Sequence, residues 1–500
     1  MAHIFKRALL VLTAVLALTP HVADAQPVAQ LLVAPRAPAG SSRRATTARR
    51  SRKARIDATA LNGAEIELHL FDDVRVTVKR NKLKRLSENR VVWVGADEYG
   101  AQAVLTMAGG VLTGTVYVDN RTFEITLDED GEYSVDELDP AAYPTDDPEH
   151  DAAAVAEVGD AALDGTGTSV VAADTFTTGT PVRIDVMIVW TPKAELNQGG
   201  AAAMASLALS AVANANLVYA NSGVNAELNL VHTGAVTFTE NPTSISTDLT
   251  ALKGTTDGKM DNVHTLRNTY GADLVTLIGA GYRSSGSCGI AGVMVTVSGS
   301  FATNAFNIVD RTCAIGNLSY AHEVGHNQGL HHDPANASSS SSYPYAYGYQ
   351  EPSGYFRTVL SYGNSTRVPY LSNPTVVYSG LPTGTASQDN ARALTNNLTT
   401  VAAFRSVAAS TASACTVTLS STALTFGAGT NTKSLTVTAP AGCAWSAVTS
   451  TAGWVTLSTT SGTGSGVVKI TTTANTGPVR RTSITVAGIT VAIKQRAPSI

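Results

Sequence analysis

The stretch His322-Glu-Val-Gly-His326-Asn-Gln-Gly329-Leu-His-His332-Asp333 decides both the fold and the chemistry of this chain. If residues 317–328 form a helix, His322 and His326 lie one turn apart and project from the same face. Gly329 can adopt the positive φ that ends a helix and turns the chain, which would bring His332 to the same point. The spacing therefore predicts that His322, His326 and His332 bind one zinc ion.

Glu323 lies beside this predicted site without being needed as a ligand. Three protein ligands leave the fourth position of tetrahedral zinc open, which is typical of catalytic zinc. Glu323 can then act as a general base toward water at that position. The alternatives are a histidine-rich solvent loop and a metal site without activity, and His331 competes with His332 as the third ligand. We expect Asn317 or Ser319 to cap the helix.

Beyond the zinc motif, further segments resemble those of a known family. The motif itself resembles that of the metzincin metallopeptidases, and Asp333 follows it as in the reprolysin-like branch. Within that clan the chain is most similar to bacterial peptidyl-Asp metalloendopeptidases. That similarity rests on Val189-Trp-Thr-Pro192, Cys288-Gly-Ile-Ala291, Asp310-Arg-Thr-Cys313, Arg367-Val-Pro-Tyr-Leu-Ser-Asn-Pro374 and Asp389-Asn-Ala-Arg392. The resemblance implies an α/β (α+β) catalytic domain over residues 181–405, with a mixed sheet and a zinc helix, that hydrolyses peptide bonds using Zn2+.

The resemblance also implies cleavage next to acidic residues, mainly on the amino side of aspartate. A pocket for aspartate needs a cation, which Arg357 or Arg367 could supply. Each of them is alternatively a surface or structural arginine. Tyr362 resembles the tyrosine that some metzincins bring to the metal or the oxyanion, so we assign it a catalytic role, with a packed aromatic as the alternative.

One position departs from the family pattern. Metzincins place a methionine in a tight turn beneath the zinc, and this chain has Leu360 there. The methionine forms an apolar floor and is not a ligand. Leucine for methionine nearly conserves volume, so the expected cost is under about 1.5 kcal/mol. We therefore expect zinc binding to be retained.

Length and charge limit the other possibilities. The chain has 500 residues, which predicts two to four domains at roughly 100–200 residues each. Residues 1–180 carry 18 basic and 26 acidic side chains and the remainder carries 17 and 13, so the two parts have charges of −8 and +4. Nucleic acid is not an expected partner, because no folded segment carries a basic face with interleaved aromatics.

The amino terminus and the cysteines indicate export. Residues 1–25 combine Lys6-Arg7, an apolar run and Ala23-Asp-Ala25, which is typical of a cleavable signal peptide. An uncleaved anchor is the alternative, but no later apolar run approaches the roughly 20 residues that span a bilayer. Domain grouping favours pairing Cys288 with Cys313 and Cys415 with Cys443. We therefore predict a secreted, extracellular protein with no membrane contact after signal cleavage.

The region before the catalytic domain has the layout of a zymogen. Residues 26–55 are basic and predicted to be disordered, residues 56–150 alternate like the strands of a small β-rich propeptide domain, and residues 151–180 form a linker. No cysteine lies in 56–150, which excludes a thiol latch on the zinc. Asp136 or Asp139 could cap the metal, although we favour the acidic run as a solvated tether.

The carboxy-terminal part is predicted to be a separate module. Residues 406–414 form a linker, and residues 415–500 form short strands spaced like those of a β-sandwich. They resemble BACON-type domains, which implies a glycan or surface ligand. Trp445 and Trp454 could stack on sugar, or they could be core residues. The predicted partners are otherwise protein or peptide substrates, and the chain is expected to be a monomer. The alternative function is a secreted adhesion or carbohydrate-binding protein with a non-catalytic metal domain.

Overall fold

A computed structural model describes residues 28–33, 47–87, 89–127, 131–144, 146, 179–241, 243–405, 417–440, 443–448, 453–487 and 489–498. The chain divides into two compact units at residue 406. The predicted signal peptide and the linkers predicted at 151–180 (apart from 179 and 180) and 406–414 lie outside the described residues. The first unit contains two large sheets. One apolar core lies within the N-terminal sheet region, and the main core of the second sheet also includes Val92, Val104 and Tyr117 of the first.

The N-terminal sheet has ten strands in the order β1-β4-β5-β6-β7-β8-β9-β10-β3-β2, and its pairs are antiparallel except β1 with β4. Alternate residues are buried, as in Ile66, Leu68 and Leu70, which is the period-two pattern of a one-sided sheet. Asp119 and Asn120 both have positive φ and form the tight turn between β8 and β9. The strands are β1 Ala29–Gln30, β2 Leu32–Val33, β3 Ala48–Ile56, β4 Glu65–Phe71, β5 Val74–Ser87, β6 Arg90–Ala96, β7 Gln102–Ala108, β8 Val111–Val118, β9 Arg121–Leu127 and β10 Tyr133–Leu138.

Two predictions for this region are wrong. The segment 26–55 was expected to be disordered, yet β3 lies between β10 and β2. Its arginines are partnered across the sheet: Arg50 donates to Asp73 and Glu137, and its guanidinium lies 4.1 Å from the Phe71 ring centroid. The acidic run was expected to be a solvated tether, but β10 runs through it and its last four residues are buried.

The catalytic region has a five-stranded sheet in the order β12-β11-β13-β15-β14, parallel except for the antiparallel edge strand β14. The mixed α/β architecture agrees with the prediction. Helices pack on both faces of this sheet and form its core with Met204, Leu274, Leu330 and Leu360 among others. The elements are β11 Val182–Trp190, α1 Pro192–Gln198, α2 Ala201–Asn221, β12 Ala226–Ala235, α3 Ile245–Lys253, α4 Asp261–Tyr270, β13 Leu274–Gly279, β14 Gly289–Ala291, β15 Phe306–Asp310, α5 Ser319–Asn327, β16 Phe356–Arg357, β17 Thr366–Arg367, β18 Val377–Tyr378, β19 Leu381–Pro382 and α6 Asn390–Val401.

Helix α2 is the longest helix in the described part of the chain. It is long and apolar enough to cross a bilayer by length and composition, which the sequence analysis did not anticipate. However, 78% of its most apolar window is buried inside the protein. It packs on β12 on one side and on β7 and β8 on the other, so it is a core helix shared by the two sheets.

The second unit consists of two sheets around one core, a four-stranded sheet (β20-β22-β26-β24) and a five-stranded sheet (β21-β28-β27-β23-β25). Trp445 is buried in that core and its Nε1 donates to the Gly464 carbonyl at 2.7 Å, so it offers no platform for sugar. Trp454 is partly buried beneath the Arg480 guanidinium. The strands are β20 Thr418–Leu419, β21 Ala423–Phe426, β22 Asn431–Thr438, β23 Ala444–Val448, β24 Val455–Leu457, β25 Ser461–Thr463, β26 Gly466–Thr472, β27 Arg480–Val486 and β28 Ile489–Gln495.

Candidate active site

Helix α5 carries the zinc motif and begins without a side-chain cap. Leu318 precedes it in the left-handed conformation, with φ of 57°, and makes no capping hydrogen bond. The first amides instead donate to the backbone of the preceding turn: Ser319 to the Cys313 carbonyl at 3.2 Å and Tyr320 to the Ala314 carbonyl at 3.3 Å. The prediction of a cap by Asn317 or Ser319 is therefore wrong, because the turn satisfies these donors itself.

Helix α5 ends as the sequence predicted. Gly329 has φ of 87°, and its amide donates to the His326 carbonyl at 3.0 Å. The next amide, that of Leu330, donates to the Gly325 carbonyl at 3.0 Å. Together these bonds form a Schellman motif, which requires a residue at positive φ. The turn reverses the chain and brings His332 back to the helix.

The three predicted ligands meet at one point. The Nε2 atom of His326 lies 3.0 Å from that of His322 and 2.9 Å from that of His332, and the remaining pair is 3.2 Å apart. His331 does not join them, because its Nε2 lies 3.0 Å from the Ser339 hydroxyl. The third position thus belongs to His332.

The protonation of these rings suits a cation. The Nδ1 atoms of His322 and His326 each lie 2.8 Å from a backbone carbonyl, of Val359 and Leu330 respectively, which leaves Nε2 of each ring as an acceptor. Burial lowers the pKa of all three histidines, that of His326 to about 4, so the rings are neutral. Converging lone pairs at hydrogen-bond distance repel each other unless a positive ion lies between them. The site therefore fits a metal ion.

Glu323 lies beside the histidines on α5 and is 1% exposed. The edge strand β14 leaves room for its side chain through Gly289: a Cβ added there would lie 2.6 Å from the Glu323 Oε1 and 2.8 Å from its Cγ. A disulfide between Cys288 and Cys313 ties this strand to the turn before α5, as predicted. Cys443 is also disulfide-bonded, but Cys415 lies outside the described residues. The role of Gly289 was missed, because the sequence does not show that β14 faces Glu323.

The turn at 357–362 forms the floor of the site. Leu360 is fully buried, and its Cδ2 would lie 3.2 Å from a Cβ added at Gly325, in the middle of α5. It therefore occupies the position expected of the turn residue. The ring of Tyr362 is centred 4.2 Å from that of His332. The Tyr362 amide donates to Asp333 Oδ2 at 3.0 Å, which links the turn to the zinc loop.

A carboxylate from the N-terminal region reaches this site, but it is not one of the two that were predicted. Asp136 lies in β10 and accepts from the Ser134 hydroxyl, and Asp139 lies 3.5 Å from Arg49. Asp146 is the residue at the site. Its carboxylate, an imidazole nitrogen of His322 and the carboxylate of Glu323 all lie within 4.8 Å of one another.

The two predicted arginines are both buried near the site and differ in their partners. Arg357 donates to the carbonyls of Ser361 and Ser365, at 2.6 and 3.1 Å, and so holds the turn together. Arg367 donates to Asp146 Oδ2 at 2.9 Å, and both side chains are almost fully buried. Arg357 is therefore a structural arginine, which was one of the two alternatives for it. Of the two arginines, Arg367 is the one that contacts a carboxylate at the site.

The N-terminal sheet covers the catalytic region along α2. The Tyr117 hydroxyl donates to Asn214 Oδ1 at 2.8 Å, and the side chains of Gln102 and Asn221 exchange two bonds of 2.9 Å. Farther along, the Gly316 amide donates to Glu124 Oε1 at 2.7 Å. The N-terminal sheet is thus bound by polar contacts to α2 and to the turn that precedes the zinc helix.

Comparison with known proteins gives two family matches. Residues 180–373 match a metallopeptidase family M12 model, and residues 444–496 match a BACON model. The first match contains the zinc motif, β14 and the Leu360 turn.

Curated relatives match a larger part of the chain than the catalytic region alone. Two peptidyl-Asp metalloendopeptidases of Stenotrophomonas maltophilia, from strains K279a and R551-3, are 34% and 33% identical over 374 residues, 70% of this chain and 85% of each relative. A peptidyl-Asp metalloendopeptidase of Xanthomonas campestris pv. campestris is 33% identical over 369 residues, 70% of this chain and 84% of the relative.

Proposed function

Because this chain belongs to the peptidyl-Asp metalloendopeptidases of metallopeptidase family M12, we propose that it hydrolyses peptide bonds on the amino side of aspartate with zinc as its metal. The chain is a metalloendopeptidase, and its substrates are proteins or peptides. The observation that carries the zinc assignment is the convergence of three neutral imidazoles, whose Nε2 atoms lie within 3.2 Å of one another. Three nitrogen ligands with one open position suit a hydrolytic zinc site.

His322, His326 and His332 would hold the ion. When bound, zinc supplies Lewis acidity, which makes water more acidic and stabilises the negative charge that develops on the scissile carbonyl oxygen. The carbonyls of Val359 and Leu330 orient two of the three rings through their Nδ1 atoms, which keeps their Nε2 atoms directed at the metal.

Glu323 moves the proton. Its carboxylate is buried beside the histidines and is held between α5 and β14. It accepts a proton from the attacking water and then donates it to the leaving amine, so that one side chain acts as base and as acid. The Tyr362 ring packs against His332, and its hydroxyl is positioned to bind a carbonyl oxygen in the cleft.

The acidic specificity is supported by the names of the relatives and by charge. Arg367 places a buried cation next to the proposed catalytic residues, where it already binds one carboxylate. A charge-assisted bond of this kind is about twice as strong as a neutral one, so it discriminates aspartate from its amide.

We also propose that the chain is made as a zymogen and exported. Asp146 lies in the cleft next to Glu323, so substrate cannot reach the base while Asp146 remains in place. The signal-like sequence at 1–25 supports secretion, and the disulfide of Cys288 with Cys313 suits an oxidising compartment. The ligand of the second unit and the monomeric state stay predictions.

The test is hydrolysis of casein and of a peptide with a single aspartate, with and without a chelator, by the purified chain. We expect cleavage before aspartate that is lost with chelator and restored by zinc. Glu323→Gln should abolish hydrolysis while one zinc per chain is retained, and the partly exposed Glu351→Gln, outside the site, serves as the matched control. A chain that binds zinc without cleaving either substrate, even after its N-terminal region is removed, would favour a non-catalytic adhesion protein.

A further inference from the structure

Asp146 is bound in the cleft through both its backbone and its side chain. Its carbonyl oxygen accepts from the Tyr362 hydroxyl at 2.7 Å. Its carboxylate accepts from Arg367 at 2.9 Å, and the residue is 1% exposed. A residue held by one contact to the main chain and one to the side chain is bound in the way that an enzyme subsite binds a residue of its substrate.

The charges around Asp146 explain why a cation is needed there. Its carboxylate lies within 4.8 Å of a carboxylate oxygen of Glu323. Two buried carboxylates so close are unfavourable unless a positive side chain compensates. Arg367 provides that compensation, and the Asn317 carbonyl fixes its guanidinium at 2.9 Å from Nη1. Without an acidic residue in this place, Arg367 would be a buried cation lacking its carboxylate.

The pairing of Asp146 with Arg367 is also incomplete. Among the described residues, the Arg367 Nε and the Asp146 Oδ1 are buried and have no hydrogen-bond partner. One donor of the guanidinium, Nε, and one acceptor of the carboxylate, Oδ1, therefore remain unused, although the two groups already share one hydrogen bond. A carboxylate on a separate peptide can adopt the bidentate geometry that arginine prefers. The pocket thus fits an aspartate better than the segment satisfies it.

We propose that Asp146 is an intramolecular substrate mimic, and that Arg367 is the residue that selects aspartate in substrates. The same pocket then binds Asp146 in the uncut chain and the aspartate of a substrate in the processed enzyme. This inference rests on the proposed function, since it identifies the side chain behind the proposed aspartate specificity.

The test compares two peptides that differ only in aspartate or asparagine after the scissile bond. The ratio of their kcat/KM values is measured within one preparation, so it does not depend on the fraction of active enzyme. Arg367→Gln should lower this ratio about 10- to 100-fold, since one charge-assisted bond is lost, while cleavage of the asparagine peptide stays nearly constant. Arg367→Lys should retain part of the preference.

Arg367→Gln alone leaves Asp146 as a buried unpaired carboxylate in the uncut chain. The same substitution is therefore also made together with Asp146→Asn, which removes that charge. The double variant should fold, bind zinc and show the lowered ratio. Asp146→Asn alone should raise the hydrolysis of the asparagine peptide by the uncut chain, whereas the partly exposed Asp139→Asn, outside the cleft, should not.

The outcomes separate the two proposals. A wild-type chain that cleaves both peptides equally contradicts the aspartate specificity and this inference with it. A selective wild type whose ratio is unchanged in both Arg367→Gln variants overturns the role of Arg367 alone. Equal basal activities of the Asp146→Asn and Asp139→Asn chains would show that Asp146 does not act as the mimic.

Discussion

The two helices at the centre of the molecule, α5 and α2, are both buried, but their partners differ in kind. Helix α5 packs against β14, β15 and α2, all of them in the catalytic region. Helix α2 packs on β12 with one side, and with the other it contacts β7 and β8 of the N-terminal sheet. The zinc helix is thus enclosed almost entirely by its own region, whereas α2 is enclosed by two regions.

The contact between α2 and the N-terminal sheet combines apolar packing with a row of polar side chains. The side of α2 that contacts the N-terminal sheet carries Ser206, Ser210 and Asn214 at intervals of four residues, and all three are buried. A groove of about 280 Å³ that is open to solvent lies between the sheet and the helix, lined in part by Val92 and Leu217, so the two surfaces are not close-packed there. A polar stripe also avoids exposing a large apolar patch after separation. The comparison agrees with the proposal that the N-terminal sheet is a removable cover over a permanent site.

The largest effect is expected from disturbing the permanent part at Gly289. In Gly289→Ala the new Cβ would lie 2.6 Å from Glu323 Oε1, so the carboxylate must move. A displacement of about 1 Å can reduce turnover roughly 100-fold. We expect a loss of kcat of that size with zinc content and melting temperature nearly unchanged.

The matched control is Gly299→Ala. A Cβ at Gly299 would meet no atom within 4 Å, so activity should be retained. Full activity of Gly289→Ala would mean that Glu323 has more freedom than its close approach to β14 implies.

A smaller effect is expected from loosening the cover at Asn214. Asn214→Leu leaves the hydroxyls of Tyr117 and Thr115 without this partner, which costs about 1–3 kcal/mol. The uncut chain should then open more often, and its basal hydrolysis should rise about tenfold, while the processed enzyme is unaffected.

Asn216→Leu is the matched control two residues away. Asn216 exchanges two hydrogen bonds with Leu228 of β12, inside the catalytic region. Its loss should lower the melting temperature of both uncut and processed forms without raising basal hydrolysis. If both variants raise basal activity equally, the distinction between the two sides of α2 is wrong.

The difference between these regions also explains what could be predicted from the sequence. The zinc motif is local: one helical turn joins His322 to His326, and Gly329 turns the chain toward His332. Period-two alternation likewise located most strands of the N-terminal sheet. Strand β3 was missed because its basic residues are neutralised by partners that are distant in sequence, such as Asp73 for Arg50.

Local sequence patterns could not predict the contacts between the N-terminal and catalytic regions. Asp146 and Arg367 are 221 residues apart, and no spacing rule connects them. The acidic run offered eleven carboxylates, so composition alone could not select the one that enters the cleft. Arg367 was one of the two predicted candidates for the aspartate pocket, because binding a carboxylate requires a cationic side chain.

The cover should also depend on pH through Glu124. Burial, then the nearby Asp136, raises the pKa of Glu124 from 4.5 to about 8, against the opposing effects of the Gly316 amide and Arg311. The docked state therefore favours the protonated acid. Its stabilising contribution is fully present below about pH 4.5 and is lost as the pH rises through 8. The pKa of Asp136 is raised as well, which acts in the same direction.

The measurement is the melting temperature of the Glu323→Gln chain between pH 5 and 9, with and without Glu124→Gln. The variant with Glu124→Gln should have the same melting temperature as its parent at pH 5, and a melting temperature about 2–4 °C higher at pH 9. The expected difference is modest because solvent still reaches part of the Glu124 side chain and screens its charge. Parallel curves across this range would exclude Glu124 as the titrating group.

The smallest effect is expected at the floor of the permanent site. Leu360 packs beneath Gly325 in a closed apolar environment, and Leu360→Met nearly conserves its volume. The change in the free energy of unfolding should stay below about 1.5 kcal/mol, and zinc affinity should change only slightly, because Leu360 packs against the helix and is not one of the three residues that would hold the ion. Zinc titration and thermal denaturation of both chains measure this. If wild type loses zinc under conditions in which Leu360→Met retains it, the floor does more than fill space, and methionine is needed there.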